Sequence, residues 1–199
     1  IWQVANRLGT EIPHLCYSDK PGYRADGNCR ACMVEIEGER VLAASCIRKP
    51  TDSMKVKTSS EKAKKSRELV FELLLADQPK KEIAHDNNSD FWKWIDKVEV
   101  KESRFPKKTS CQADVSHPSM AVNLDACIQC NLCVRACREV QVNDVIGMAY
   151  RGENSKIVFD FDDPMGDSTC VACGECVQAC PTGALMPASI VDKDGVGHS

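Results

Sequence analysis

Two copies of one cysteine run, 43 residues apart, constrain this chain more than any other feature. The first is Cys127-Ile-Gln-Cys130-Asn-Leu-Cys133-Val-Arg-Ala-Cys137. The second is Cys170-Val-Ala-Cys173-Gly-Glu-Cys176-Val-Gln-Ala-Cys180, with Pro181 directly after it. Each reads C-x2-C-x2-C-x3-C, the spacing that surrounds a cubane 4Fe–4S cluster with thiolates. Four sulfur ligands must converge on one small object, and three cysteines at two-residue gaps wrap a single loop around it. Zinc more often takes two separated cysteine pairs, which this run does not offer. A disulfide framework suits it less, because the chain is not a short mini-protein and has thirteen cysteines, an odd count.

The runs resemble those of bacterial two-cluster ferredoxins, in which the fourth cysteine ligates the neighbouring cluster. The resemblance assigns Cys127, Cys130, Cys133 and Cys180 to one cubane and Cys170, Cys173, Cys176 and Cys137 to the other. It implies that this segment moves electrons. Pro181 is expected to end the helical turn after Cys180. Arg138 stands at the matching place in the first copy, so the helix after Cys137 is expected to run on.

A second constellation is Cys16, Cys29, Cys32 and Cys46, spaced C-x12-C-x2-C-x13-C. Four thiolates suit a 2Fe–2S rhomb, and the small residues of Gly27-Asn28-Cys29-Arg30-Ala31-Cys32 let backbone N–H groups approach its sulfurs. A zinc site has the same ligand count, and spacing alone leaves that alternative open. Cys111 is the remaining cysteine and reads as a free thiol, with ligation beside His117 or His85 as the lesser alternative. His14 reads as a loop histidine near Cys16.

Net charge is −3, which gives no footprint for nucleic acid. The longest apolar run, Leu69 to Ala76, is broken by Glu72 and is too short to span a membrane. Many cysteines without a leader point to a reducing compartment, the cytoplasm. The chain opens on Ile1 inside a helical pattern and trails off in polar residues, so it reads as a piece of a longer subunit.

The expected class is α+β. Residues 1–58 form the first unit, with a short helix carrying Val4, Leu8 and Ile12, ended by Gly9, and a hairpin of Met33–Ile36 with 40–45 about Glu37-Gly38-Glu39. A capping box, Thr58-Ser59-Ser60-Glu61, opens a helix to about Ala76 with Ala63, Ser66, Val70, Leu73 and Leu74 on its buried face. Lys62, Lys64, Lys65 and Arg67 read as its solvated face, and Gln78-Pro79 ends it. Residues 59–110 make a helical linker, in which Phe91 to Ile95 form a satellite core. Residues 111–187 hold the tandem runs, with a strand over Lys156–Asp162 pairing with Met148–Arg151. Residues 188–199 form a tail.

In this order the pieces resemble the opening of the alpha subunit of NAD-dependent, molybdenum- or tungsten-containing formate dehydrogenases, related to the large iron–sulfur subunit of NADH dehydrogenases. Asn123 to Cys130, Cys133 to Gln141 and Cys176 to Leu185 carry the likeness. The resemblance implies a β-grasp 2Fe–2S domain lacking its leading hairpin, and a bis-pterin molybdenum or tungsten site in a part outside this chain. It also implies a flavin- and NAD-binding diaphorase-type partner. No catalytic residue falls within this chain. Many such relatives place a His-x3-Cys-x2-Cys-x5-Cys cubane site in the linker. Here the positions after His85 hold Ser89, Trp92 and Val98, so that cluster is expected to be absent and the aromatic residues to fill its space.

Overall fold

The computed structural model describes residues 1–107 and 110–192, so the expected tail lies largely outside the described residues. Helix α1 (Trp2–Arg7) closes on a pair of backbone hydrogen bonds, Gly9 N–H to Asn6 O and Thr10 N–H to Ala5 O, with Gly9 at φ +76°. This is the glycine stop that the sequence suggested. Its buried face is different. Trp2 is buried and donates from Nε1 to Ile12 O at 3.0 Å, while Val4 and Leu8 are exposed. A six-residue helix cannot present a long stripe, and the indole, with its N–H satisfied, takes the inward position.

Strand β1 (Met33–Ile36) pairs antiparallel with β2 (Ala43–Ala44) across a turn in which Gly38 has φ +83°. The expected hairpin is present, with a second strand shorter than 40–45. On its other edge β1 takes β3 (Val56–Lys57), which the sequence did not reveal, to give the order β2-β1-β3. Val34 and Ile36 alternate inward.

Helix α2 (Glu61–Asp77) starts where expected but by another cap. The Ser60 hydroxyl, not Thr58, accepts from Ala63 N–H at 3.3 Å. Its buried residues are Ala63, Arg67 and Phe71, one every four positions, and Leu73 is exposed. Arg67 therefore leaves the expected solvated face and lies inward, with Nε donating to Met33 O at 2.9 Å. The helix ends at Gln78, before Pro79.

After a 3₁₀ turn (Lys81–Ile83), helix α3 (Asp90–Val98) buries Phe91, Trp92 and Ile95. They pack with Phe71 of α2, with Leu15, which precedes Cys16, and with Ala31 of the Cys16–Cys32 loop. The aromatic group is thus a shared core joining three segments rather than a satellite. Phe91 N–H donates to Pro181 O at 2.9 Å, which ties α3 to the end of the second cysteine run.

In the remaining region β4 (Met120–Val122) pairs with β7 (Leu185–Pro187), and β5 (Ile146–Ala149) with β6 (Lys156–Phe159), both antiparallel. The second hairpin was expected, displaced by a few residues. Helix α4 (Leu132–Arg135) continues into a π-helical turn over Ala136–Val140, whereas α5 (Glu175–Ala179) stops before Cys180-Pro181. Arg138 in place of proline permits that extra turn. Met120, Val122, Ile146, Phe159, Met165 and Leu185 form the core around which the two runs sit. No helix among the described residues is long and apolar enough to cross a membrane.

Candidate metal centres

The Cys16 loop folds back on itself so that Cys29 N–H donates to Cys16 Sγ at 3.3 Å and Cys16 N–H to Cys29 Sγ at 3.4 Å. Cys32 Sγ and Cys46 Sγ lie 3.4 Å apart. Gly27 (φ +67°) and Arg30 (φ +58°) make the turns, and a Cβ at Gly27 would come 3.0 Å from Ile47 Cδ1. The four thiols thus form two close pairs, Cys16 with Cys29 and Cys32 with Cys46, the second pair flanking β1 and β2 in the chain. Hydrogen bonding from Cys29, then from Cys46, draws Cys16 down to about 2, and Cys46 chiefly draws Cys32 down to about 6. Their partners Cys29 and Cys46 are pushed up for the same reason, helped by burial.

The first three cysteines of each run follow one backbone path. Gln129 and Asn131 have φ +54° and +64°; Ala172 and Gly174, 43 residues later, have φ +58° and +74°. Gln129 N–H donates to Cys127 Sγ at 3.4 Å, and Ala172 N–H to Cys170 Sγ at 3.4 Å. Left-handed residues at these places turn the peptide N–H groups toward the sulfurs. The internal duplication reaches the backbone as well as the cysteines.

Cys127, Cys130 and Cys133 line a narrow cavity together with Cys180. Cys170, Cys173 and Cys176 line a second with Cys137. The fourth cysteine of each run faces the cavity of the other run. Elsewhere the walls are mainly apolar, with Ile128, Ile157 and Leu185 at the first and Met120, Val145 and Ile146 at the second. Among the described residues no three His, Cys, Asp or Glu side chains close on the position of a single ion. The thiols stand around a space. Burial pushes Cys130 and Cys133 up, and Cys176 up to about 12, which favours the protonated thiols in the absence of a cation. Val145 N–H donates to Cys137 Sγ at 3.3 Å. Three sets of four thiols with apolar walls and N–H donors fit iron–sulfur clusters.

In the linker, His85 is buried, with Nδ1 facing Asn123 Nδ2 at 3.2 Å and Nε2 without a partner. Ser89 is buried as the residue before α3, Trp92 lies in the shared core and Val98 packs against it. Cys111 is exposed, its N–H donating to Asp125 Oδ1 at 2.6 Å. His117 accepts from Ser119 N–H at 3.1 Å, and His14 faces Ile12 O at 3.2 Å.

Sequence reasoning missed Arg135. It is 2 % exposed, and its guanidinium donates to Cys16 O at 2.7 Å, to Cys130 O at 3.3 Å and to Arg24 O, with Asp26 Oδ2 3.2 Å away. Cys16, Cys130 and Leu132 form one buried cluster beside it. The signal was present as a break in the duplication, because the second run has Gln178 at this position.

Residues 1–61 match the family described as 2Fe-2S iron-sulfur cluster binding domain, and residues 126–184 match the 4Fe-4S dicluster domain. The NADP-reducing hydrogenase subunit HndD of Solidesulfovibrio fructosivorans is 34% identical over 94% of this chain, which spans 33% of that subunit. The formate dehydrogenase-like protein SH0748 of Staphylococcus haemolyticus (strain JCSC1435) is 29% identical over 94% of the chain, which spans 19% of it. A crystal structure of NAD+-reducing [NiFe]-hydrogenase in the H2-reduced state superimposes with a TM-score of 0.84 at 26% identity, over 94% of this chain and 80% of that one. The chain thus covers a third or less of the length of these curated relatives. It joins a 2Fe–2S ferredoxin-type domain to a 4Fe–4S dicluster domain of the same general kind.

Proposed function

We propose that this chain is the electron-relay module of an NAD-linked oxidoreductase and, more narrowly, of a formate dehydrogenase. In this reading Cys16, Cys29, Cys32 and Cys46 hold one 2Fe–2S cluster. Cys127, Cys130, Cys133 and Cys180 hold one 4Fe–4S cluster, and Cys170, Cys173, Cys176 and Cys137 the other. When bound, the clusters supply one-electron carriers. The protein fixes their spacing and screens them from water. The observation that carries the reading is the exchange of Cys137 and Cys180 between the two cavities, together with the contact of Cys16 and Cys130 that places the third thiol set beside the first cavity. The molybdenum or tungsten pterin site and the flavin/NAD-binding subunit belong outside this chain. The units proposed are 1–58, 59–110 and 111–187, with the remainder leading toward the rest of the subunit.

The formate assignment draws on the residues around the cysteines. The greater identity of the hydrogenase relative favours a second reading, a hydrogenase or NADH dehydrogenase diaphorase module. Iron and acid-labile sulfide on anaerobically purified chain test the relay. About ten iron atoms per chain, with one 2Fe-type and two cubane-type EPR signals, are expected. Zinc in place of iron would end the reading, and about fourteen iron atoms would show a third cubane in the linker. In the native complex, reduction of the clusters by formate but not by dihydrogen distinguishes the two assignments.

A further inference from the structure

Among the described residues two arginines are buried, Arg67 and Arg135, and they are treated differently. The Arg135 guanidinium has a carboxylate and several carbonyls around it. Arg67 is 8 % exposed, and among the described residues no carboxylate pairs with it. Its Nε donates to Met33 O, and its Nη2 is buried without any partner. A guanidinium stays protonated at any accessible pH, so burial does not relieve the charge. An unpaired buried cation is costly and calls for an anion.

Helix α2 sets Arg67 against β1 at Met33, the residue after Cys32. Burial lowers the Arg67 pKa, and a negative charge at Cys32 would act against that. Ser45 is the second misfit at the same place. It is fully buried, its backbone N–H donates to Cys32 O at 3.1 Å, and it precedes Cys46 in the chain. Its hydroxyl is buried without a hydrogen-bond partner. Two unspent donors, one of them charged, therefore lie buried beside the backbone that carries Cys32 and Cys46.

We propose that Arg67 and Ser45 are the counter-charge and hydroxyl donor of the 2Fe–2S centre at its Cys32–Cys46 side, and that they raise its reduction potential. The inference rests on the proposed ligand set. Reduction adds one electron, and so one negative charge, to a site that four thiolates already make anionic. A fixed cation in a low-dielectric setting stabilises the reduced form more than the oxidised form. Arg67 neither gains nor loses a proton in the step, so its contribution does not vary with pH.

The test is an EPR-monitored redox titration of the full chain and of Arg67→Met, Arg67→Lys and Ser45→Ala. Arg67→Met is expected to move the 2Fe–2S midpoint to more negative potential, Ser45→Ala to move it less in the same direction, and Arg67→Lys to stay nearest the parent. The two cubane midpoints serve as internal controls and are expected to stay in place. Arg67→Met and Ser45→Ala midpoints equal to the parent value, with iron content retained, would overturn the proposal. If Arg67→Met does not keep its cluster, Ser45→Ala decides alone: a more negative midpoint upholds the proposal and an unmoved one overturns it. A parent chain without a 2Fe-type signal would instead overturn the ligand assignment, a separate failure.

Discussion

His85 shows what burial does to one titratable side chain. It is 5 % exposed, and desolvation lowers its pKa; Lys107 adds to this, while Asp125 and Asp192 act against it. The folded chain therefore resists protonating a ring that the unfolded chain protonates readily near pH 6.5. Stability from this group is fully present above the unfolded value and is lost as pH falls from there toward the lower folded value, by about 1.4 kcal/mol for each unit between them. His85→Asn, which keeps an acceptor for Asn123 and cannot be protonated, is expected to flatten that loss. Denaturant midpoints of parent and variant at pH 7.5 and pH 5.5 check this, and an equal drop in both would refute it. The residue scale is also where the sequence was least legible. Arg67 looked like its lysine neighbours because a charge run does not say which member meets the sheet. The interval Ala63, Arg67, Phe71 held the answer, but a cation at its centre discouraged reading it as a buried stripe.

Elements were legible in proportion to their length and punctuation. The β1–β2 hairpin announced itself through alternation and Gly38, and α2 through its capping residues and Pro79. Strands of two or three residues such as β3, β4 and β7 have no period to read and exist only through their partners. The cap of α2 makes a sharp prediction. Ser60→Ala removes the acceptor for Ala63 N–H and is expected to cost about 1 kcal/mol, whereas Thr58→Ala is expected to stay within about 0.5 kcal/mol of the parent. Chemical denaturation of the two variants separates the observed cap from the one anticipated in sequence. Phe71 tests the shared core. Fully buried between α2, α3 and the Cys16–Cys32 loop, it is expected to cost about 3–5 kcal/mol as Phe71→Ala. Retention of stability in that variant would mean that the linker and the first unit are not held together there.

The arrangement of the whole molecule was not readable in advance, because it depends on contacts between residues more than a hundred positions apart. Tyr23 donates to Glu175 at 2.8 Å and Arg24 to Glu139 at 2.8 Å, both at the margin of the joint. Exposed pairs such as Arg24–Glu139 contribute little, about 0–1 kcal/mol. Arg135 is different in kind. Its fork reaches the carbonyls of Cys16 and Cys130 at once, so one side chain holds a residue of the first unit to a residue of the first cysteine run. Arg135→Met would keep the apolar volume but take the buried guanidinium from Asp26, which keeps Arg24, and from the carbonyls of Cys16, Arg24 and Cys130, the last of which still accepts from Asn28. Removing one partner of a buried pair costs about 3–5 kcal/mol, and the remaining Arg24 contact places the expected loss toward the lower end. Because the loss falls on the joint, the expected result is more than a lower midpoint. Where the parent is expected to unfold in one transition, the variant is expected to show two, with the region of the tandem runs retaining its iron when the first unit has melted. Arg135→Lys, with charge but no planar fork, should fall between the two. Differential scanning calorimetry read alongside iron release measures both quantities. One undivided transition at the parent temperature in Arg135→Met would show that the aromatic core of α2 and α3 holds the units together without it.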